Sequence, residues 1–422
     1  MTKLQKLISK LEKHHKRKID LSLDRTFNLL NKLGNPQNKL NNVITVVGTN
    51  AKASMCYSLK SILKEAGHKC NLYTSPHLLS YTERFIYDGK EISDEDLIEL
   101  LQDVEKILGE DNATLFEILT CAFIKHAENF KENINIIEAG LFHQYDSTNV
   151  FKDNLMSLVG VIHSDHFQWL ENKSIEGVIF EKTTKLLNSN IFVNKQHTDN
   201  IRDKIEMALE KNSSKKYYYG KDFNISKSEN GFIHYQDNLG ELILPQPNII
   251  GDHQLYNIST SISACRRILK VTDDQLKIGI QNINLKGRLE EIKSGRLKEI
   301  AGNNKLFIDG GHNISASLSI ANWIKSQGEK VNLIVGMMKD KEHEAFIKSF
   351  EKIVSSITLI DIPNQEGSIS KEDFKKKLSN LNLNLKLANS IEESIKSLAK
   401  NEKTITLCIG SLYLAGEILS LN

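Results

Sequence analysis

Short apolar patches of strand length alternate along this 422-residue chain with longer segments of helical period, the pattern of parallel sheets covered by helices. An α/β fold is expected. The first repeat is the sharpest: Asn42 to Val47 (NVITVV) is β-branched and ends at Gly48, and Lys52 to Ala66 then reads as a helix closed by Gly67. Further strands are expected at Lys69 to Tyr73, Ile134 to Glu138, Ser157 to Ile162 and Asn190 to Val193, with helices at Ser93 to Leu108, Thr114 to Asn129 and Ile175 to Leu187. The stretch Lys215 to Leu244 changes character. It carries Tyr217, Tyr218, Tyr219, Phe223, Phe232 and Tyr235 among Gly and Asn turn residues, and reads as a small antiparallel patch. From about Gly287 a fresh alternation begins, with strands expected at Lys305 to Ile308, Val331 to Val335, Ser356 to Leu359 and Thr404 to Ile409. The reading is therefore two domains, residues 1–285 and 286–422, joined near Asn282 to Lys286.

Composition narrows the function. Apolar residues make up 40% of the chain and charged residues 26%, so it can bury a sizeable core without disulfides or a structural metal. Lys and Arg total 55 against 53 Asp and Glu, a net charge of +2 that gives no field for a polyanion, so nucleic acid is not expected as a partner. Cys56, Cys70, Cys121, Cys265 and Cys408 are scattered, odd in number and without a CxxC pair, which fits reduced thiols in a cytoplasm. No uninterrupted apolar run approaches eighteen residues, and the basic opening MTKLQKLISKLEKHHKRK reads as a solvated amphipathic helix, with an organelle-targeting helix as the alternative. A cytoplasmic protein with no membrane partner is expected.

Gly48-Thr49-Asn50-Ala51-Lys52-Ala53-Ser54 lies where a strand feeds a helix, so backbone N–H groups at the helix start converge on one point and suit an anion. Lys52 would add a charge for the outer phosphates and Ser54 a hydroxyl suited to Mg²⁺. The alternative is a plain strand-to-helix turn. Ala51 and Ala53 stand where glycine would be comfortable, and an Ala held at positive φ costs roughly 1–2 kcal/mol. Other polar groups recur after expected strands: Ser75, Glu138 and His166. Taken singly, Ser75 could begin a turn before Pro76, Glu138 could cap a helix, and His166 could be a loop histidine. In the C-terminal half, Gly287-Arg288-Leu289-Glu290 and Asp309-Gly310-Gly311-His312-Asn313 offer an acid and a histidine beside two glycines, either as a capped glycine turn or as a loop reaching a ligand.

Taken in order, GTNAKAS, YTSPHL with TERF, IIEAGL with DSTNV, HSDH with WL and EK, GDHQLYN, GRLE, DGGHN and GSLYLAGE make a series that resembles the folylpolyglutamate synthase/dihydrofolate synthase family of the Mur ligase superfamily. The opening IDLSLDR and LGNPQ match its bacterial bifunctional form. The resemblance implies a P-loop-type ATPase domain with a parallel sheet, followed by a Rossmann-like α/β domain. It also implies ATP-dependent addition of L-glutamate to dihydropteroate and to reduced folates through an acyl phosphate, hence a place in folate biosynthesis and one-carbon metabolism. By motif, Gly48, Thr49, Asn50, Lys52 and Ser54 would bind the phosphates, and Ser54, Ser75 and Glu138 the first Mg²⁺. His166 would belong to a second Mg²⁺ site, with Lys182 carbamylated by CO₂ so that it becomes an oxygen ligand. Asn257 would contact the adenine, and Arg288, Asp309 and His312 would approach the nucleotide from the second domain, whose closure would exclude water. Ser75, Pro76, His77 and Leu78 would face the pterin or aminobenzoate part. Family members are commonly monomeric.

This chain departs from the family pattern at three places. The loop is normally GTNGKGS; Phe142-His143-Gln144 replaces Gly-Gly-Arg before Asp146; Thr183-Thr184-Lys185 replaces Ala-Gly-Ile after Lys182. The lysine, hydroxyl, acid, imidazole and second-domain arginine all remain, so a working enzyme is the favoured reading and a non-catalytic ATP- or folate-binding regulator the alternative. A cell-wall amino-acid ligase would need an additional N-terminal nucleotide-sugar domain, for which the roughly 40 residues before the loop are too few.

Overall fold

The computed structural model describes residues 2–14, 22–165, 167–399 and 403–422. The chain separates into two compact units, Met1–Asn248 with Leu255–Ile283, and Ile249–Gln254 with Asn284–Asn422. A short piece of chain well before the expected join thus belongs to the second unit.

The first unit is built on eight strands: β1 (Val43–Val47), β2 (Cys70–Tyr73), β3 (Phe85–Tyr87), β4 (Lys90–Glu91), β5 (Ile134–Glu138), β6 (Met156–Val159), β7 (Asn190–Val193) and β8 (Lys215–Tyr218). Their order is β4-β3-β2-β5-β1-β6-β7-β8, with β2, β5, β1, β6, β7 and β8 parallel and β3 and β4 antiparallel at one edge. Every residue of β1 is buried, as expected of a strand covered on both faces. The chain leaves β1 toward β5 and β2 on one side and later returns to β6 and β7 on the other. The carboxyl end of β1 is therefore the topological switch point, where an open sheet leaves a crevice for ligands.

The aromatic stretch corrects one expectation. Lys215–Tyr218 pairs in parallel with β7 and closes the main sheet, with Tyr217 stacked on Phe192 at 4.8 Å. Only β9 (Phe223–Lys227), β10 (Ile233–Asp237) and β11 (Gly240–Leu244) form the antiparallel patch. The strand expected to reach Ile162 stops at Val159, because the Val161 carbonyl instead accepts the Thr49 and Asn50 N–H groups at 2.8 and 3.1 Å. The helix expected to reach Leu187 stops at Thr183.

The second unit carries β12 (Glu290–Ile292), β13 (Lys305–Asp309), β14 (Val331–Val335), β15 (Ser356–Leu359), β16 (Leu385–Leu387) and β17 (Ile405–Ile409), ordered β12-β13-β17-β14-β15-β16. All are parallel except β12. Leu333, Leu407, Phe346, Phe350 and Phe374 form its core. Among the described residues no helix is long and apolar enough to cross a membrane.

Candidate nucleotide and metal site

The loop after β1 is held open by backbone contacts. Thr49 and Asn50 donate to the Val161 carbonyl, and the Thr49 hydroxyl both accepts from the His163 N–H and donates to the His163 carbonyl, each at 3.1 Å. Gly160 makes this approach possible: a Cβ there would lie 2.4 Å from the Asn50 carbonyl oxygen. Ala51 takes φ 75°, the left-handed conformation, at the N-cap of the helix Lys52–Glu65, and has no side chain to cap the first turn. The N–H groups of Lys52, Ala53 and Ser54 have no intrahelical carbonyl to meet. Lys52 folds back so that its ammonium donates to the carbonyls of Gly48 at 3.1 Å and Thr49 at 3.4 Å. Backbone donors, a helix dipole and one cation thus share a single concavity, which suits a chain of phosphates.

Ser54 and Glu138 are buried, 4% and 3% exposed, at the helix start and at the end of β5. Val46 pairs with Glu138 across the β1–β5 ladder, so the carboxylate stands beside the loop after β1. It accepts the Ser75 N–H at 3.3 Å, and the Ser75–Pro76 peptide is cis. The backbone of Ser75, not its hydroxyl, therefore makes that contact. A carboxylate and serine hydroxyls are hard oxygen donors, and this set fits Mg²⁺. His166 lies outside the described residues, and among those described no cluster of three or more His, Cys, Asp or Glu could hold a metal ion.

Lys182 is 3% exposed on the helix Ile175–Thr183. Its nitrogen donates to the carbonyls of Gly48 at 3.1 Å and Leu141 at 2.6 Å and stands 5.3 Å from the Phe142 ring centroid. Burial, reinforced by the nearby Lys52 charge, lowers its pKa to about 7. Two of the departures from the family pattern meet here. His143 and Gln144 donate backbone N–H groups to the Glu181 carbonyl, and the Thr184 hydroxyl donates to Gln144 Oε1 at 3.2 Å. The His143 imidazole is buried, its Nδ1 lacks a partner, and desolvation with the Lys182 charge brings its pKa down to about 4. Asp146 organises the same loop by accepting the N–H groups of Gly140 and Leu141, both at 3.1 Å, and the Thr148 hydroxyl at 2.6 Å. In the sequence Asp146 stands only as part of a motif; its role as the acceptor holding Gly140 and Leu141 emerges from the fold.

His77 and Leu78 follow β2. The His77 imidazole accepts from Arg84 Nε at 3.0 Å, and burial together with the Arg84 charge lowers its pKa to about 3. Glu83 accepts the N–H groups of Leu78, Leu79 and Ser80 and fixes this loop's path. Asn257, buried on the helix Asp252–Ala264, accepts at Oδ1 from Asn194 Nδ2 at 2.7 Å. Sequence reasoning missed Asn194; its one signal was its position immediately after β7. Asn194, Lys195, Tyr218, Tyr219 and Arg202 border a cavity of about 150 Å³ beside the ends of β7 and β8.

In the second unit Asp309 ends β13, and its carboxylate accepts from Leu289 N–H at 2.8 Å and Gly311 N–H at 2.6 Å. Burial raises its pKa, and the Arg288 charge opposes that rise. A Cβ on Gly310 would lie 2.7 Å from Arg288 Nη1, and His312 Nδ1 is 3.1 Å from the Gly310 carbonyl. The residue that caps the following helix is Asn313, which accepts the Ala316 N–H at 3.0 Å. Asp309 instead ties the Arg288 loop to the end of β13.

A family model described as dihydrofolate synthetase, C-terminal domain, matches residues 296–421. The probable dihydrofolate synthetase of Schizosaccharomyces pombe is 25% identical over 95% of this chain and 98% of its own length. The dihydrofolate synthase/folylpolyglutamate synthase of Bacillus subtilis is 26% identical over 94% of both. Over nearly its full length the chain is thus similar to dihydrofolate synthases and folylpolyglutamate synthases. Its fold agrees: Escherichia coli FolC in complex with DHPP and ADP superposes with a TM-score of 0.86 at 23% identity, covering 99% of this chain and 97% of that one. A Mycobacterium tuberculosis folylpolyglutamate synthase complexed with ADP and AMPPCP gives 0.86 at 19% identity over 99% of this chain and 98% of its own.

Proposed function

We propose that this chain is an ATP-dependent ligase that joins L-glutamate to dihydropteroate and to reduced folates, working as a monomer in the cytoplasm. The observation that carries the reading is the Gly48–Ser54 loop at the switch point, with Lys52 folded over it and the Glu138 carboxylate beside it. Family relatives are named for these two reactions, and related structures hold ADP, or AMPPNP with a manganese ion.

A bare carboxylate resists amines because its charge repels them and oxide is a poor leaving group. Transfer of the terminal phosphoryl group of ATP to the carboxylate oxygen releases ADP and gives an acyl phosphate; the glutamate amine then attacks the carbonyl carbon and phosphate departs. Charge spreads over the moving phosphoryl oxygens, so catalysis consists of placing donors and cations around them. The N–H groups of Lys52, Ala53 and Ser54 and the Lys52 ammonium would supply that environment. Ser54, Ser75 and Glu138 would hold Mg²⁺, which contributes charge neutralisation, and His166 is assigned to a second ion.

Lys182 is assigned as the carbamylation site. A pKa of about 7 leaves much of the amine neutral at physiological pH, the form that attacks CO₂. A carbamate nitrogen keeps one N–H, so one of the contacts to Gly48 and Leu141 would be given up. Labelled bicarbonate followed by carbon NMR tests this: a carbamate signal absent from Lys182→Arg supports the assignment, and its absence from the parent chain refutes it. Arg288, Asp309 and His312 are assigned to the nucleotide, with Asp309 acting through its hold on the Arg288 loop. Offering dihydropteroate and tetrahydrofolate separately with ATP, Mg²⁺ and glutamate, and weighing the products, tests the ligase reading. A glutamate-sized gain with ADP release supports it. ADP release without that gain, or neither, overturns it.

A further inference from the structure

A guanidinium carries five N–H donors in a fixed fork, and at Arg84 the fold uses only one of them. Nε donates to His77 Nδ1 at 3.0 Å, and the guanidinium carbon lies 4.9 Å from the centroid of the Tyr81 ring, against which the His77 ring also packs at 4.1 Å. The remaining four donors, on the two Nη atoms, meet no acceptor among the described residues, and no carboxylate of those residues stands within ion-pair distance. The neighbouring acid is already engaged: Glu83 accepts the N–H groups of Leu78, Leu79 and Ser80 at 2.7, 2.8 and 3.1 Å. Arg84 is only partly exposed, and its backbone carbonyl accepts the Thr74 N–H at 3.4 Å. A guanidinium held at Nε and against a ring, with both Nη groups open, is preorganised to take a carboxylate through two parallel hydrogen bonds.

Its place on the sheet says which carboxylate. Arg84 immediately precedes β3, whose first residue, Phe85, pairs with Tyr73 on β2; Tyr73 in turn pairs with Ile137 on β5, one residue before Glu138. Neighbouring strands lie about 4.8 Å apart, so Arg84 stands about 10 Å from Glu138 along the same edge of the sheet. A glutamyl residue separates its two carboxyl carbons by about 5 Å, and the length of the arginine side chain covers the rest. We infer that Arg84 is a specificity-determining residue that binds the α-carboxylate of a folate's terminal glutamyl residue while the γ-carboxylate, which reacts, lies beside Glu138. The inference rests on the ligase reading and on the loop Ser75 to Leu78 facing the acid. Dihydropteroate has a single carboxylate, the one that reacts, so Arg84 serves glutamate addition to folates and not to dihydropteroate.

The test is equilibrium binding to the full chain by titration calorimetry, with AMPPNP and Mg²⁺ present and glutamate omitted so that nothing turns over. The probes are tetrahydrofolate, its α-carboxamide, which keeps the γ-carboxylate, and dihydropteroate. The parent chain is expected to bind tetrahydrofolate about tenfold more tightly than the α-carboxamide. That ratio should fall to near one in Arg84→Gln, which can still donate to His77 but has lost the fork. Arg84→Lys should recover part of it, since a point charge remains. Dihydropteroate should bind Arg84→Gln within twofold of the parent, whereas a merely structural role in the loop would weaken all three acids together. Ratios between ligands do not depend on the active fraction of a preparation, so a partly misfolded variant still reports. The proposal is overturned if Arg84→Gln keeps the parent ratio, if it weakens dihydropteroate as much as tetrahydrofolate, or if the parent binds tetrahydrofolate and its α-carboxamide equally. If the parent binds none of the three acids, the ligase reading fails first, and the proposal with it.

Discussion

Replacing Ala51 and Ala53 separately by glycine should move stability in opposite directions, although both changes restore the same family residue. Ala51 sits at φ 75°, where an L side chain is strained by roughly 1–2 kcal/mol relative to glycine. Against that relief stands the extra freedom glycine gives the unfolded chain, about 0.4–1 kcal/mol. Ala51→Gly should therefore stabilise the first unit by about 0.5–1 kcal/mol. Ala53 lies inside the helix Lys52–Glu65, where glycine has no strain to relieve and loses about 0.5–1 kcal/mol relative to alanine. The difference between the two variants, about 1–2 kcal/mol, is readable as separated midpoints in urea unfolding followed by far-ultraviolet circular dichroism. Equal destabilisation by both variants would refute the argument, since it would mean that Ala51 carries no left-handed strain.

Gly160→Ala places a Cβ 2.4 Å from the Asn50 carbonyl and should cost about 2–3 kcal/mol while weakening ATP binding at least tenfold; unchanged binding would show that the loop after β1 is not set by this contact. Lys52→Ala should lower kcat at least a hundredfold in the product assay, and retained turnover would remove the loop from the mechanism. His143 is held neutral when folded, with its pKa near 4 against an ordinary 6.5, so the unfolded chain takes up the proton first. Stability should fall as pH drops from about 6.5 to about 4, by about 3 kcal/mol at 1.36 kcal/mol per pH unit, and then level off from this cause. His143→Leu should flatten that limb of a urea-midpoint profile, and a limb left unchanged would contradict the assignment.

The parallel strands were legible because each is a β-branched run buried on both faces: Val43–Val47, Ile134–Glu138 and Val331–Val335 lie where the apolar patches are. Two- and three-residue strands such as Lys90–Glu91 and Leu385–Leu387 carry too few residues to show alternation. For Lys215–Tyr218 residue type reports a sheet but not which sheet; the pairing with β7, where Tyr217 stacks on Phe192, decides that. At the site, the strand-loop-helix spacing marked Gly48 to Ser54, and the strain at Ala51 followed from its place before the helix. Partnerships were not legible. That Gln144 meets Thr184 and that Asn194 donates to Asn257 are contacts between segments distant in sequence, and no local pattern encodes them.

The central claim is that this chain moves a phosphoryl group from ATP onto a carboxylate oxygen, so that the oxygen leaves with phosphate when the amide forms. Dihydropteroate labelled with oxygen-18 in its carboxylate follows that atom directly. One labelled oxygen per turnover should appear in the released inorganic phosphate, and Lys52→Ala should release it at least a hundredfold more slowly. Amide product formed with unlabelled phosphate would contradict the account.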